Sequence, residues 1–265
     1  MECNETDLKR SGPRTYIKLT MERINKILIT LTIIFLGLSY ACFFVFNEKT
    51  LIFLSKEDGV FENIGTISFL LAFLGFLLCF MKSKKGNDFG FLKFKKNIFY
   101  LFLSLMFFFA FGEEISWGQR IFNFRTPEIL EEVNIQHECT IHNLAIFQDS
   151  KFLRNKYAFW TGITSFNFMF NIFCLVYCGL IPVLNKFSKR IRNFLNKINS
   201  PIVPLWTGLV FFLIIFGLEI AENIIPKNIR VLVYEMKETQ LAFLFFVISF
   251  WFLNKFYLGN GIVNR

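Results

Sequence analysis

The chain has 265 residues, of which 54% are hydrophobic and 19% aromatic, and its mean hydropathy is +0.47. Only 18% of the residues are charged, which is too few for the surface of a soluble protein of this length. The net charge of +9 does not indicate nucleic-acid binding, because the lysines and arginines are concentrated between apolar blocks. The composition therefore predicts an all-α bundle of membrane-spanning helices, with the lipid bilayer as its partner and no nucleic acid.

Six apolar blocks are long enough to be transmembrane helices, since a helix needs roughly 20 mostly apolar residues to cross a bilayer core of about 30 Å. In chain order, the predicted spans are residues 27–46, 62–81, 97–116, 158–181, 203–222 and about 236–254. We expect one membrane domain over residues 27–257, with a basic segment, 1–26, before it and a short tail, 258–265, after it.

The uneven distribution of lysine and arginine between the blocks predicts the orientation of the chain. Together, the first segment, the second and fourth connections and the tail contain about twice as many lysines and arginines as the other three loops. We therefore expect a multi-pass plasma (inner) membrane protein with both termini cytoplasmic and with outer loops at 47–61, 117–157 and 223–235. The basic cytoplasmic connections, KSKKGNDFGFLKFKK and NKFSKRIRNFLNK, are expected to set the topology and to contact anionic lipids rather than to form a specific ligand site.

Acidic residues from four predicted spans are expected at one depth, just inside the outer membrane interface. They are Asp58 and Glu62 at span 2, Glu113 and Glu114 at span 3, Glu219 and Glu222 at span 5, and Glu235 and Glu238 at span 6. By length, Glu113 and Glu219 fall within the hydrocarbon, where an unpaired charge costs on the order of 2.5 kcal/mol or more. These two are candidate functional residues, with a structural salt bridge as the alternative. Asp58, Glu235 and Glu238 are better explained as interfacial anchors.

The outer loop, residues 117–157, contains both histidines of the chain. If the third helix continues past Glu114, then Glu113, Trp117 and Arg120 share one face, which makes Arg120 a candidate counter-ion or a local structural partner for the acidic residues.

A short amphipathic helix is expected next, over residues 127 to 134 of RTPEILEEVNIQ. Thr126 suits its N-cap and Pro127 its first position. We expect this helix to lie on the membrane surface or to fold back into the bundle.

Histidine and carboxylate side chains indicate a candidate metal site. His137 and His142 are five residues apart, which does not match a helical zinc site, whereas Glu138 and His142 are four apart and could share a helix face. Mixed carboxylate and imidazole sets bind Zn²⁺, Mn²⁺ or Fe²⁺. The predicted ligands of a divalent transition metal are Glu114, Glu138, His142, Glu219 and Glu222, with Glu62 and His137 as secondary candidates. The alternative for His142 is a hydrogen bond to a neighbouring carboxylate without a metal.

The string GEEISWGQRIF, followed by TPE and IHNL, resembles a group of multi-pass bacterial membrane proteins without an assigned activity. A weaker likeness is to the CAAX-protease and bacteriocin-immunity type of intramembrane metalloprotease, whose EExxxR motif pairs with histidines on later helices. Here Glu113 and Glu114 precede Arg120 in an EExxxxxR spacing, and the two histidines lie in one segment. This resemblance implies a glutamate and histidine site within a helical bundle.

Three hypotheses about function follow. The first is a membrane enzyme, in one form a metal-dependent hydrolase, that acts on a lipid or a membrane-embedded peptide at the outer interface. Its predicted catalytic residues are Glu113, Glu114, Arg120 and His142, and its predicted substrate contacts are Trp117, Gln119, Asn143 and Asn167. The second is a cation or proton-coupled transporter or channel that uses the acidic residues, and the third is a noncatalytic membrane assembly protein.

Overall fold

The computed structural model describes residues 13–54, 56, 59–144, 147, 165–226 and 229–260. All regular elements in these residues are helices, which confirms the all-α prediction. We number them α1 (Pro13–Val45), α2 (Glu48–Leu54), α3 (Val60–Lys82), α4 (Ile98–Glu114), α5 (Gln119–Phe122), α6 (Glu128–Val133), α7 (Phe166–Cys174), α8 (Ile181–Phe187), α9 (Lys189–Lys197), α10 (Trp206–Ile224) and α11 (Arg230–Asn260). A π-helical segment, Leu175–Leu180, joins α7 to α8. Asp58, residues 1–12, the start of the predicted fourth span and the last five residues of the tail lie outside the described residues.

Five helices of the described residues are long and apolar enough to cross a membrane by length and composition. They are Leu19–Val45, Val60–Lys82, Phe166–Phe187, Trp206–Ile224 and Arg230–Leu258. The predicted third span corresponds to α4, which is equally apolar but has only 17 residues. Large apolar side chains also cover the outside of these helices, with Leu209 68% and Phe216 63% exposed. Such a surface suits hydrocarbon rather than water.

Helix α11 occupies the centre of the bundle and packs against α1, α3 and α10. An aromatic core connects it to α3 and α4. The Phe107 ring centroid lies 5.7 Å from that of Phe76 and 4.7 Å from that of Phe245, and all three side chains are fully buried. Aromatic pairs at such distances contribute about 0.5–1.5 kcal/mol each beyond their buried area. This core fixes the position of α4, whose last turn carries the candidate site.

Helices α3 and α11 approach closely because small residues line their contact. A Cβ added at Gly75 would lie 2.8 Å from Ser249 Cβ, well inside normal contact distance. Ala72, one turn earlier on α3, is completely buried. Small side chains have this role in membrane bundles because close packing replaces the hydrophobic effect as the force that joins the helices.

Replacing Gly75 by leucine should therefore separate α3 from α11 and lower the free energy of unfolding by about 1–3 kcal/mol, the usual cost of overpacking. The matched control is Gly37→Leu in α1, where nothing lies within 4 Å of an added Cβ. The measurement is the thermal unfolding midpoint of each purified variant in detergent. Equal midpoints for the two leucine variants would contradict the close contact of α3 with α11.

Candidate functional site

Helix α4 ends at Glu114 because the chain then turns back with a left-handed backbone. Ser116, Trp117 and Gly118 have φ values of 48°, 53° and 82°, and consecutive residues of this kind do not continue a right-handed helix. The third helix therefore does not continue past Glu114, and the helical face that such a continuation would give to Glu113, Trp117 and Arg120 is not formed.

The indole of Trp117 folds back onto the last turn of α4. Its Cζ3 atom lies 2.8 Å from the position that a Cβ at Gly112 would occupy, so glycine at this position admits the ring. Its Nε1 donates a hydrogen bond to Glu113 Oε1 at 2.6 Å. Glu113 and Trp117 thus meet through a turn rather than along a helix.

The Glu113 carboxylate is the centre of the candidate site, although its side chain is only 5% exposed. Its Oε2 accepts hydrogen bonds from the backbone N–H groups of Ile141 at 2.7 Å and of His142 at 2.8 Å. The same oxygen lies 2.8 Å from His142 Nδ1. With the Trp117 indole, four hydrogen bonds converge on this carboxylate. Charge-assisted hydrogen bonds of this kind offset the cost of burying a negative charge.

The partners of Glu113 also determine which nitrogen of His142 carries a proton. The backbone N–H groups and the indole can only donate, so the carboxylate accepts from them as an ionised group. Nδ1 of His142 then donates to the same carboxylate. An imidazole oriented by an ionised carboxylate in this way has the arrangement of a general base.

The segment that leads to His142 is a compact turn rather than a helix. Asn134 anchors it by donating from Nδ2 to the Thr140 carbonyl at 2.6 Å. Glu138 turns towards the end of α4, where its Oε2 accepts from Ser116 Oγ at 2.7 Å. The interpretation of Glu138 and His142 as neighbours on one helix face is therefore wrong, because the turn directs the two side chains to different partners.

The two histidines have different surroundings. His142 lines a cavity, whereas His137 has a positive φ of 58° and places its Nδ1 2.9 Å from the Glu131 carbonyl of α6. Thr126, the predicted N-cap of α6, instead donates to the His137 carbonyl at 2.6 Å, and Pro127 occupies the N-cap. Helix α6 otherwise begins and ends within one residue of the predicted helix.

A cavity of about 520 Å³ lies beside the Glu113 and His142 pair. Its wall on α4 runs from Phe102 to Glu114, about 18 Å along a helix that rises 1.5 Å per residue. The deeper positions on this wall carry phenylalanine, methionine and alanine, and α7 adds Asn167 and several aromatic rings. The cavity therefore combines a carboxylate and imidazole end with a long aromatic end, which suits a molecule with a polar head and a hydrocarbon tail.

Glu238 of α11 lines the same cavity, although it was not among the predicted site residues. It interacts electrostatically with His142 and with Glu62 of α3, which was a secondary candidate. The sequence indicated only the predicted depth of Glu238 in the membrane, because this residue lies at the N-terminal end of the last apolar block. Depth alone did not show that this carboxylate points inward, so it was interpreted as an interfacial anchor.

Two predicted metal ligands lie away from the cavity. Glu219 is exposed on α10, and Glu222 accepts a hydrogen bond from Tyr234 Oη at 3.2 Å. Helix α10 packs mainly against α11 and the π-helical segment, so it does not bring these carboxylates to the end of α4. Within the described residues, no three His, Cys, Asp or Glu side chains are grouped as a metal site requires. The predicted set of Glu114, Glu138, His142, Glu219 and Glu222 is therefore not assembled.

Asn167 lines the cavity, whereas two other predicted substrate contacts stabilise the outer loop. Gln119 Oε1 accepts from the Cys139 backbone N–H at 2.8 Å, and Asn143 donates to the Gln136 side chain. Arg120, a predicted catalytic residue, lies in α5, and its side chain is outside the described part of the structure.

Comparison of the chain with protein-family models, with curated proteins and with solved structures finds no match. The functional interpretation therefore depends on the geometry of the residues around the cavity.

Replacing Glu113 by glutamine should loosen the outer loop without changing the shape of the side chain. The new amide N–H₂ must face either the Trp117 indole or the loop N–H groups, so at least one donor loses its acceptor at a cost of about 1–3 kcal/mol. We expect amide exchange at Ile141 and His142 to accelerate roughly ten-fold or more, measured by hydrogen–deuterium exchange mass spectrometry. Glu132→Gln on the exposed side of α6 is the control, and equal exchange in both variants would contradict the anchoring role of Glu113.

Proposed function

We propose that this protein is an intramembrane hydrolase in which His142, oriented by Glu113, activates water against a lipid bound in the aromatic cavity. The observation that supports this is the 2.8 Å contact between Glu113 Oε2 and His142 Nδ1 at the wall of that cavity. A structural histidine needs only a partner, whereas this one has its ring orientation set by a buried carboxylate and also lines the cavity.

The proposed reaction is the hydrolysis of a lipid ester. His142 Nε2 takes a proton from water as the water oxygen bonds to the ester carbonyl carbon or phosphorus, and the resulting imidazolium returns the proton to the departing alcohol oxygen. The ionised Glu113 stabilises the imidazolium between these two steps. The proposed steps use no metal ion, because the predicted metal ligands do not lie together around the cavity.

The shape of the cavity supports a lipid rather than a transported ion as the ligand. Its polar side chains lie at the outer end of α4, and the rest of that wall is apolar for about 18 Å. Transporters place their ion sites near the middle of the membrane. A hydrocarbon chain along the aromatic wall would instead place its head group beside His142, where water from the outer interface can reach it.

We further propose six spans in the plasma membrane, with both termini cytoplasmic and the Glu113 site on the outer side. Helix α4, third in chain order, would be the span in addition to the five longer helices, since its 17 residues cover roughly 26 Å of a hydrocarbon core of about 30 Å. The orientation is supported by the excess of lysine and arginine in the connections after α3 and α8.

Cysteine labelling in intact cells tests this topology. In a background with the native cysteines replaced, Ile129→Cys should react with a membrane-impermeant maleimide, because residue 129 is 81% exposed in the proposed outer loop. Phe91→Cys, which is 91% exposed in the connection after α3, should react only after the cells are permeabilised. The reverse pattern would overturn the proposed orientation.

The two histidines allow a matched test of the proposed activity. Purified protein in liposomes of phosphatidylethanolamine and phosphatidylglycerol should release fatty acid or head group, detected by mass spectrometry. His142→Ala should lower the rate roughly 100-fold or more, since general base catalysis contributes at least this much.

The control is His137→Asn, because asparagine tolerates the positive φ of this position. We expect its rate to stay within two-fold of the original protein. An equal loss in the two variants would assign the histidines to loop structure, and turnover unaffected by His142→Ala would overturn the proposed base. Absence of lipid turnover by the unmodified protein would overturn the lipid hydrolase itself.

A further inference from the structure

A second cavity, of about 350 Å³, lies at the opposite end of the bundle from His142. It is formed where α3 ends and α4 begins, beside the last turns of α11. Lys84 and Lys85 contribute from the connection after α3, and Lys255 contributes from α11. The proposed reaction does not involve this cavity.

The walls of this second cavity are fixed by asparagine side chains. Asn97 Nδ2 donates to the Asn199 carbonyl at 2.8 Å, and Asn199 Nδ2 donates to the Lys85 carbonyl at 2.9 Å. Asn87 Nδ2 donates to the Ile198 carbonyl at 2.7 Å. These bonds join the connection after α3 to the connection before α10, although the two are more than 100 residues apart in sequence. The polar rim is therefore built before any ligand binds.

The charge of the rim favours an anion. Three lysines lie around this cavity, and none of its lining residues is acidic. Asp88, in the same connection as two of these lysines, instead pairs with Lys93 at 3.6 Å. Like charges around one cavity repel one another, and a bound anion relieves the repulsion while it accepts hydrogen bonds from the ammonium groups.

The floor of the second cavity is aromatic. Tyr100, Phe252 and Phe256 line it beneath the lysines, and the Tyr100 ring centroid lies 5.3 Å from that of Phe252 and 5.5 Å from that of Phe256. Inorganic phosphate would gain nothing from these rings. A ligand with an anionic group joined to an apolar body would contact both the rim and the floor.

We propose that this second cavity binds the phosphate of an anionic phospholipid, with the glycerol and the first part of the acyl chains against the aromatic floor. The basic connections are then more than topology signals, because two of their lysines form a shaped site together with Lys255. This proposal is independent of the hydrolase, since the two cavities lie at opposite ends of the bundle and share no lining residue.

Lipid binding by charge-matched triple variants tests the proposal. The full chain is delipidated in detergent and titrated with phosphatidylglycerol, and bound lipid is counted by native mass spectrometry. The variant that carries Lys84→Gln, Lys85→Gln and Lys255→Gln should bind phosphatidylglycerol at least ten-fold more weakly than the original protein. The control variant carries Lys95→Gln, Lys189→Gln and Arg190→Gln, which removes the same charge from exposed positions that do not line the cavity, and its affinity should stay within two-fold.

Each other outcome overturns the proposal. Equal weakening in the two triple variants would mean general attraction to a basic surface, and unchanged binding in the cavity variant would remove the site. The unfolding midpoint of each variant shows whether a loss of binding reflects unfolding. Inorganic phosphate is the competing probe. Displacement of phosphatidylglycerol by phosphate at concentrations similar to those of the lipid would mean that the cavity takes a soluble phosphate rather than a lipid.

Discussion

The hydrogen bonds to the buried carboxylate of Glu113 are the interactions on which the half of the molecule around the end of α4 depends. This carboxylate accepts hydrogen bonds from the indole of the residue that reverses the chain after α4 and from the backbone of a segment 29 residues further along. Each contact alone is ordinary, but together they join the end of a helix, a strained turn and a loop into one unit. The orientation of His142 follows directly from that unit.

This arrangement balances several unfavourable local features. A charge buried near the hydrocarbon costs several kcal/mol, and each non-glycine residue held in a left-handed conformation costs on the order of 1–3 kcal/mol. Ser116 and Trp117 both have such a conformation immediately after Glu113 and Glu114. The charge-assisted hydrogen bonds to Glu113 offset these costs. Strain that persists only because its surroundings stabilise it is typical of functional sites, and here it lies beside the cavity that contains His142.

The two ends of the bundle solve the same structural problem with different chemistry. At the end of α4, one ionised carboxylate accepts hydrogen bonds from the loop N–H groups. At the opposite end, neutral asparagine side chains bind carbonyl groups of two distant connections. Between them lies an aromatic core of phenylalanines from α3, α4 and α11, which sets how these helices are rotated. The aromatic wall of the cavity beside His142 and the aromatic floor of the second cavity are both extensions of that core.

The sequence by itself determined the helical, apolar character of the chain and the positions of its carboxylates along the helices. Both are one-dimensional properties, because an apolar block of known length places its ends at known distances along the helix axis. The short helix α6 was also predictable, since Pro127 and the residues after it favour a helix locally. The contact of Glu113 with His142 was expected only as one of several combinations of carboxylate and imidazole.

Only the tertiary structure decided which of those carboxylates meet. Depth does not specify the rotation of a helix about its axis, and rotation is set by packing against neighbours such as the aromatic core. Glu238 therefore faces the cavity, while Glu219 at a similar predicted depth is exposed on α10. The sequence also did not show the left-handed turn after Glu114, because that turn is stabilised by hydrogen bonds to a loop far along the chain. Local sequence determined where charges lie along each helix, and long-range packing determined which of them form a site.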